Sequence, residues 1–377
     1  MGASAELGLY VHFPWCRHLC PYCDFPVAVA KGEPPHDAYL AAILAELAER
    51  APEVAGRRLV SIYVGGGTPS LWRPDCLAAV VDAGARAFAA DPAGLEITIE
   101  ANPADCTAAR MAGWRAAGVN RVSIGVQSLD PGELVTLGRD HRMGDGAVAL
   151  ESARAAGFRS VSADLILGVP GDGPAVLPAH ALPIAATVDH LSVYELTIEE
   201  RTIFGKRVRA GTLVPRDEDA LASLYVAAHD ALTAAGFEHY EISSYARPGH
   251  RAVHNALYWR GAEFLGLGVG AASFVRDPAG GGRRVTNVRQ APRYLAARGA
   301  ERVAETLVSD AADLAADLLW LGLRTADGVA EADLAGRPDL AAWLVGEGLA
   351  EPSAGRLRPT LRGYLYADQV AARASRG

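Results

Sequence analysis

Short apolar segments alternate with longer segments of helical period from the start of the chain to about residue 245. The short segments are rich in residues that favour strands, and the alternation of the two kinds of segment is regular. The pattern predicts six strands, at Leu7–Phe13, Leu59–Val64, Leu95–Glu100, Val119–Val126, Ser160–Leu167 and His190–Leu196.

The longer, Ala- and Leu-rich segments predict the helices between these strands. In DAYLAAILAELAER the apolar positions recur at helical spacing and share one face, namely Tyr39, Leu40, Ile43, Leu44 and Leu47. Similar segments occur near 74–90, 107–117, 144–156, 173–186 and 217–235. Six strand–helix units in succession imply a parallel sheet with outer helices, joined by right-handed crossovers. We therefore predict an α/β fold in which residues 1–245 form an open, partial (β/α)6 barrel of the TIM type, because the alternation ends before eight units.

The remaining third of the chain lacks this alternation. Residues 246–304 are rich in Gly, Arg and Pro and are interpreted as a connecting segment, with DPAGGGRR as a surface loop. Residues 305–377 predict a small accessory domain, mostly helical and similar to a winged helix, with a hairpin near its end. Residues 301–377 contain 12 acidic side chains, 8 Arg and no Lys. Since a phosphate-binding wing would be basic, we expect a structural or docking role and no nucleic-acid partner.

Composition and charge indicate a soluble, cytoplasmic protein. Half of the 377 residues are apolar, enough for a large core, and the net charge of −8 gives no general attraction to nucleic acid or anionic membranes. No N-terminal leader pattern and no apolar segment of about 20 residues is present, so no membrane segment is expected. In a reducing compartment, clustered cysteines indicate metal binding or catalysis rather than disulfides.

Three of the five cysteines lie in WCRHLCPYCDF, directly after the first predicted strand. Cys16, Cys20 and Cys23 have the spacing C-x3-C-x2-C. A structural zinc site takes four ligands, usually as two separated pairs, and no second pair follows here. Three thiolates could hold a [4Fe-4S] cluster and leave one iron open to a small molecule. Zinc completed by a distant histidine remains an alternative, and Cys76 and Cys106 are interpreted as packing residues.

The cysteine spacing matches the radical S-adenosylmethionine superfamily, in which the methionine amino and carboxylate groups chelate the open iron. Further motifs follow in barrel order at the predicted strands, namely YVHFPWC, YVGGGTPS, IEANP, RVSIGVQS and DLILGVPG. With HNALYW and the C-terminal segment, they cover nearly the whole chain. The sequence resembles the coproporphyrinogen-oxidase-like branch of this superfamily and is most similar to the haem chaperones within it.

This resemblance implies a [4Fe-4S] cluster on the three cysteines, with S-adenosylmethionine as its exchangeable ligand. The residues that it assigns to S-adenosylmethionine are Tyr10, Tyr22, Gly66, Gly67, Thr68, Glu100, Gln127, Arg139 and Asp164. The glycine-rich stretch from Gly65 would receive the methionine amino group, and the forked guanidinium of Arg139 suits its carboxylate. Three polar residues at the strand ends would take the ribose and adenine, and Tyr22 would cover the adenine face.

Two classes of protein in this branch compete for the function, an oxygen-independent coproporphyrinogen oxidase and a haem chaperone. The oxidases have a further cysteine two positions after the third cluster ligand, where this chain has Phe25. HNALYW resembles a chaperone signature that the oxidases lack, and its His254 is the candidate haem ligand. The chain also begins its first strand at residue 7, without the N-terminal extension of the oxidases. We therefore expect the protein to bind and transfer haem and to lack oxidase activity. We assign no catalytic residue.

Two departures keep a third class open. The chaperones would have Pro and His where this chain has Val269 and Ala272. Related methyltransferases and cyclopropanases use two molecules of S-adenosylmethionine, and this alternative remains. The expected partners are S-adenosylmethionine, haem and a haem-acceptor protein of unknown identity, which could be associated with a membrane.

Overall fold

A computed structural model describes residues 5–142, 144–171 and 177–375. The first eight strands are β1 (Glu6–Phe13), β2 (Trp15–Cys16), β3 (Ala28–Val29), β4 (Arg58–Gly66), β5 (Glu96–Ala101), β6 (Arg121–Gln127), β7 (Ser160–Leu167) and β8 (His190–Glu195). The helices that accompany them are α1 (His36–Arg50), α2 (Pro74–Ala87), α3 (Ala108–Ala116), α4 (Pro131–Thr136), α5 (Asp145–Ala155), α6 (Leu177–Ala185), α7 (Ile203–Arg209) and α8 (Glu218–Ala234). The prediction of a helix near 173–186 falls partly outside the described residues.

Six of these strands form the predicted open barrel. Strands β1, β4, β5, β6, β7 and β8 are hydrogen-bonded in that order, and each neighbouring pair is parallel. Leu9 of β1 and Ile62 of β4 pack towards Gly84 of α2, so alternate strand residues face the outer helices. The intervening residues, such as Tyr10 and Tyr63, face the barrel interior and stack with their ring centroids 6.1 Å apart. The prediction of a partial barrel is confirmed.

The segment after residue 236 contains more regular structure than its sequence predicts. Its elements are β9 (Glu238–Glu241), β10 (Ser244–Ala246), α9 (Val253–Trp259), β11 (Glu263–Gly268), β12 (Ala272–Arg276), β13 (Gly282–Asn287), α10 (Ala291–Ala296) and β14 (Val303–Ser309). Strand β11 pairs parallel to β1, and β12, β13 and β14 extend the sheet antiparallel to a total of 12 strands. Of the predicted surface loop DPAGGGRR, residues 277–281 join β12 to β13, whereas its last three residues begin β13.

A buried carboxylate fixes this extension to the barrel. Glu46 of α1 accepts hydrogen bonds from the Gly268 N–H (2.9 Å), the Asn287 amide (2.6 Å) and the Tyr294 hydroxyl (2.6 Å). These three partners lie more than 200 residues further along the chain. The strands of the extension are therefore specified by distant contacts, which the local sequence pattern does not reveal.

The C-terminal unit has its own small core. It contains α11 (Ala311–Gly322), β15 (Val329–Ala330), α12 (Pro338–Gly346), β16 (Ala350–Ser353), β17 (Arg356–Pro359), α13 (Leu361–Leu365) and α14 (Ala367–Ala374). The hairpin of β16 and β17 pairs with β15 in a three-stranded sheet, as a wing would. Among the helices of the described residues, none is long and apolar enough to cross a membrane.

Candidate functional site

The carboxyl ends of the barrel strands surround a cavity of about 350 Å³. Ligands bind at this end in parallel α/β sheets, because the loops that follow the strands converge there. Of the residues assigned to the cluster and to S-adenosylmethionine, all except Tyr10 line the cavity, namely Cys16, Cys20, Tyr22, Cys23, Gly66, Gly67, Thr68, Glu100, Gln127, Arg139 and Asp164. The structure therefore brings together residues that are spread over more than 140 positions of the sequence.

The cysteine loop is closed at its base by a short pairing of strands. Trp15 and Cys16 of β2 pair with Ala28 and Val29 of β3. Within the loop the Cys23 N–H donates to the Cys20 carbonyl (3.1 Å), and all three cysteines are half-buried and free. Burial raises the pKa of the Cys16 thiol to about 11, while the Thr68 hydroxyl opposes the shift. Because a metal binds thiolates, loading this loop must release protons.

All three thiols lie in the wall of the cavity. In the described part of the chain, no group of three or more His, Cys, Asp or Glu side chains is placed to hold a single metal ion. In a [4Fe-4S] cluster each thiolate binds a different iron, so three cysteines around one cavity could hold such a cluster.

Two glycines at the end of β4 make close contacts with the protein itself. Gly66 has φ +117°, and a Cβ there would lie 2.6 Å from the His12 ring. A Cβ on Gly67 would lie 2.8 Å from the backbone of Pro14. Larger residues would therefore push this stretch away from the cysteine loop, since interiors at close-packed density cannot absorb such overlaps cheaply.

Glu100 is held at the end of β5 with its charge largely uncompensated. Its carboxylate accepts from the Tyr63 hydroxyl (2.7 Å) and from the Gly66 N–H (3.0 Å). Burial raises the pKa of Glu100 to about 7; the two hydrogen bonds oppose the shift, and the nearby charge of Asp164 adds to it. This carboxylate is thus available as an acceptor for hydroxyl groups of a ligand in the cavity.

Asp164 and Gln127 complete the polar wall opposite the cysteines. The Ser123 hydroxyl lies 3.0 and 3.1 Å from the two carboxylate oxygens of Asp164, whose pKa is raised by burial. Gln127 has φ +65° at a bulge in the pairing of β6 with β7. Left-handed backbone at a residue other than glycine is strained and concentrates at binding sites.

Arg139 lies in the wall of the cavity beside Cys20. Its guanidinium donates to the Gly125 carbonyl (3.1 Å) and lies 3.9 Å from the Cys20 sulfur. Its Nε is buried and has no hydrogen-bond partner among the described residues. A buried donor without a partner is costly, so a carboxylate ligand would relieve this group. The residues present therefore fit the methionine carboxylate of S-adenosylmethionine.

Tyr10 lies one layer below the cavity. His12 is neutral because burial lowers its pKa to about 4. Its Nε2 lies 3.2 Å from the Pro26 carbonyl, which only accepts, so its Nδ1 accepts from the Tyr10 hydroxyl at 2.9 Å. Tyr10 thus orients His12, which contacts both Gly66 and the end of the cysteine loop.

His254 lies at the other end of the barrel. It is 1 % exposed on α9, and its ring stacks on Tyr63 with the centroids 5.1 Å apart. Its Nδ1 is 2.8 Å from the Ser61 hydroxyl and its Nε2 is 2.8 Å from the Tyr258 hydroxyl. Burial lowers its pKa to about 3. In this conformation neither ring nitrogen is free to bind an iron.

The cavity wall also includes Tyr63, Ser123 and Tyr194, to which the sequence analysis assigned no role. Each faces the barrel interior, where polar positions alternate with apolar ones along the strand. Strands of a parallel sheet covered on both faces are normally apolar throughout. The polar alternation in RVSIGVQ was therefore a signal for a polar interior.

The raised pKa of Glu100 predicts a pH-dependent stability of the ligand-free protein. A carboxyl whose folded pKa is about 7, against an ordinary value of 4.5, favours folding below pH 4.5, and this advantage is lost as the pH rises through 7. Glu100→Gln should therefore be more stable than the wild type at pH 8 by roughly 2–3 kcal/mol, and this gain should shrink towards pH 5. Urea unfolding at both pH values measures it.

The matched control is Glu151→Gln, on the exposed face of α5. Burial also raises the pKa of Glu241 to about 7, but this residue titrates alike in all three proteins and cancels in the comparison. If the free energies of unfolding of Glu100→Gln and the wild type change with pH in parallel, the ionisation of Glu100 does not destabilise the folded protein.

Comparisons with known proteins identify the family and the fold of the chain. The model of the Radical SAM superfamily matches residues 10–180. The chain is 40 % identical over 305 residues to heme chaperone HemW of Escherichia coli, covering 81 % of this chain and 79 % of the relative. It is 38 % identical to heme chaperone HemW of Mycobacterium tuberculosis, covering 96 % and 93 %. The solved coproporphyrinogen III oxidase HemN of E. coli superposes with a TM-score of 0.82 over 99 % of this chain and 91 % of that one, at 22 % identity, which shows a shared fold.

Proposed function

This chain belongs to the radical SAM superfamily and, within it, to the family of the HemW haem chaperones, and from this premise we propose that it binds haem and delivers it to an acceptor protein. The observation that carries the proposal is the 38 % identity to a HemW protein over 96 % of the chain, which includes the C-terminal unit as well as the barrel. The superfamily implies a [4Fe-4S] cluster and S-adenosylmethionine.

The chain's own residues would hold these two groups at the cysteine cavity. Cys16, Cys20 and Cys23 would bind three irons and leave the fourth for the methionine amino and carboxylate groups. When bound, this pair supplies one-electron cleavage of S-adenosylmethionine. Arg139 would orient the carboxylate through its free Nε, and Glu100 and Asp164 would accept hydrogen bonds from ribose or adenine.

The position of Phe25 supports a chaperone over an oxidase. Its side chain is 65 % exposed at the cavity mouth, where the oxidases of this branch would have a fourth cysteine. An exposed aromatic ring adds apolar surface beside the cluster but no ligand or redox-active group. The similarity to HemN is therefore a similarity of fold.

A role of His254 as a haem ligand stays a prediction. Ligation would first require His254 to leave the core and to give up its contacts with Ser61 and Tyr258. Losing such buried partners costs roughly 1–3 kcal/mol for each group left unpaired. A simpler arrangement leaves the histidine in place in the floor of the barrel, which is the end opposite the cysteine cavity.

Haem binding is tested on anaerobically reconstituted protein. Titration with ferric haem should produce a shifted Soret band that saturates at one haem per chain, since a carrier has one site. Incubation with coproporphyrinogen, reductant and S-adenosylmethionine should yield no protoporphyrinogen. Protoporphyrinogen as a product would establish the oxidase function in place of the chaperone.

The variant His254→Ala then separates the two roles of this histidine. If it ligates the iron, the Soret maximum of the variant moves. If it belongs to the floor, the Soret maximum stays at the wild-type position while the free energy of unfolding falls.

A further inference from the structure

A second cavity, of about 620 Å³, lies at the end of the barrel opposite the cysteines. Helix α9 forms one wall, and α11, β15 and the start of β17 in the C-terminal unit form the other. Its volume is within the range of about 300–1,000 Å³ that is usual for small-molecule sites. It is separate from the cysteine cavity, and the two share no lining residue.

Helix α9 presents different faces to the barrel and to this cavity. His254 and Leu257 are buried towards the barrel interior. Val253, Ala256 and Trp259 follow at intervals of three residues and line the second cavity. Leu318 of α11 and Val329 of β15 face them from the C-terminal unit. The centre of the cavity is thus apolar on both sides, with an indole ring available for stacking.

Charged side chains lie around the edge of this apolar centre. Arg260 pairs with Glu6 at 3.0 Å, and Arg251 pairs with Asp327 at 3.2 Å and more closely with Glu238. The side chain of Arg260 is 55 % exposed and that of Asp327 is 64 % exposed. Exposed ion pairs contribute little to stability, so an incoming carboxylate can replace one acidic partner at small cost. Arginine is well suited to this exchange because its planar fork matches a carboxylate.

We propose that this second cavity is where haem binds. The inference rests on the proposed function, and it locates the site. Haem is a flat apolar ring with two carboxylates on one edge, and the cavity has an apolar centre between two walls and arginines at its rim. The ring would lie between α9 and α11 against Trp259, and its carboxylates would reach Arg260 and Arg251.

The iron would be held without a strong ligand from the cavity wall. None of the described residues around the cavity is a histidine, cysteine or methionine. The Tyr240 hydroxyl is already engaged, because it lies 2.9 Å from the His190 Nε2 and accepts from the Ala252 N–H at 3.2 Å. Weak axial ligation suits a carrier, since an acceptor with a better iron ligand can then withdraw the haem.

An apolar patch at the mouth of the cysteine cavity is the competing location. Leu19 and Phe25 are 45 % and 65 % exposed there. The second cavity differs in having apolar side chains on two facing elements, α9 and α11. The cysteine cavity also has polar groups that fit S-adenosylmethionine, which would compete for the same space.

The test compares variants of the two places in the full, cluster-loaded chain. Ala256→Trp fills the second cavity from the half-buried side of α9 and should weaken ferric haem binding at least tenfold. Trp259→Leu removes the stacking surface, should weaken binding by a similar factor, and serves if the larger side chain impairs folding. Phe25→Ala is the matched control at the cysteine cavity and should leave haem affinity unchanged. Iron, sulfide and S-adenosylmethionine binding should be the same in Ala256→Trp and Trp259→Leu as in the wild type.

The outcomes separate this inference from the proposed function. Wild-type haem affinity in both Ala256→Trp and Trp259→Leu would overturn the site, and a loss in Phe25→Ala would move it to the cysteine cavity. Absence of haem binding by the wild type would overturn the proposed function as well.

Discussion

Replacing Cys20 with serine is expected to abolish the [4Fe-4S] cluster. The three thiols of the cysteine loop line one cavity wall and have no substitute nearby, because the other two cysteines are buried elsewhere. A serine hydroxyl is a poor ligand for iron at neutral pH. Anaerobic reconstitution of the wild type should give about four iron and four sulfide per chain, with a Mössbauer signal for one distinct iron when S-adenosylmethionine is added. The variant should retain little of either element.

The matched control is Cys76→Ala. Cys76 is fully buried at the start of α2 and lines no part of the cavity, so its loss should cost some packing energy and no iron. Zinc as the stoichiometric metal, or an intact cluster in Cys20→Ser, would contradict the assignment of the loop.

Replacing Arg139 with alanine should weaken S-adenosylmethionine binding by roughly ten- to a hundredfold. Hydrogen bonds to charged groups typically contribute about 1.5–3 kcal/mol, which corresponds to this range of affinity. The effect should be at the upper end, since the side chain is half-buried and its buried Nε has no partner among the described residues. Calorimetric titration of the cluster-loaded protein measures it.

Because Arg139 also contacts Cys20, iron content must be determined in the same sample. Arg142→Ala is the matched control, three residues further on and exposed, and should bind S-adenosylmethionine as the wild type does. Equal affinity in Arg139→Ala and Arg142→Ala would remove Arg139 from the site.

The barrel was predictable because its strands and helices have local patterns. All six predicted strands have observed ends within two residues, and Ser160–Leu167 agrees at both. The site could be predicted from motifs because parallel strands deliver their carboxyl ends to one place. Gly66 and Arg139 are far apart in sequence, yet the fold alone brings them to one cavity.

Features that depend on distant partners could not be predicted. β11 contains two glycines, and its pairing with β1 and β12 and the contact of Gly268 with Glu46 define it. The position of His254 could not be predicted either, because the motif HNALYW is the same whether its histidine faces a ligand or the core. The contacts of His254 with the hydroxyls of Ser61 and Tyr258 place it in the core.

The position of β1 in the middle of the sheet also affects how the chain folds during synthesis. β1 leaves the ribosome first, yet one of its edges stays uncovered until β11 is made, which at ~5–20 residues per second takes on the order of 10–50 s. During this interval Leu7, Leu9 and Val11 belong to an exposed apolar strand, the kind of edge that recruits other chains. The barrel residues alone therefore do not complete their own sheet. The uncovered edge of β1 is closed only when residues near 268 have been made. The cysteine loop is synthesised early, but the cavity around it is completed late.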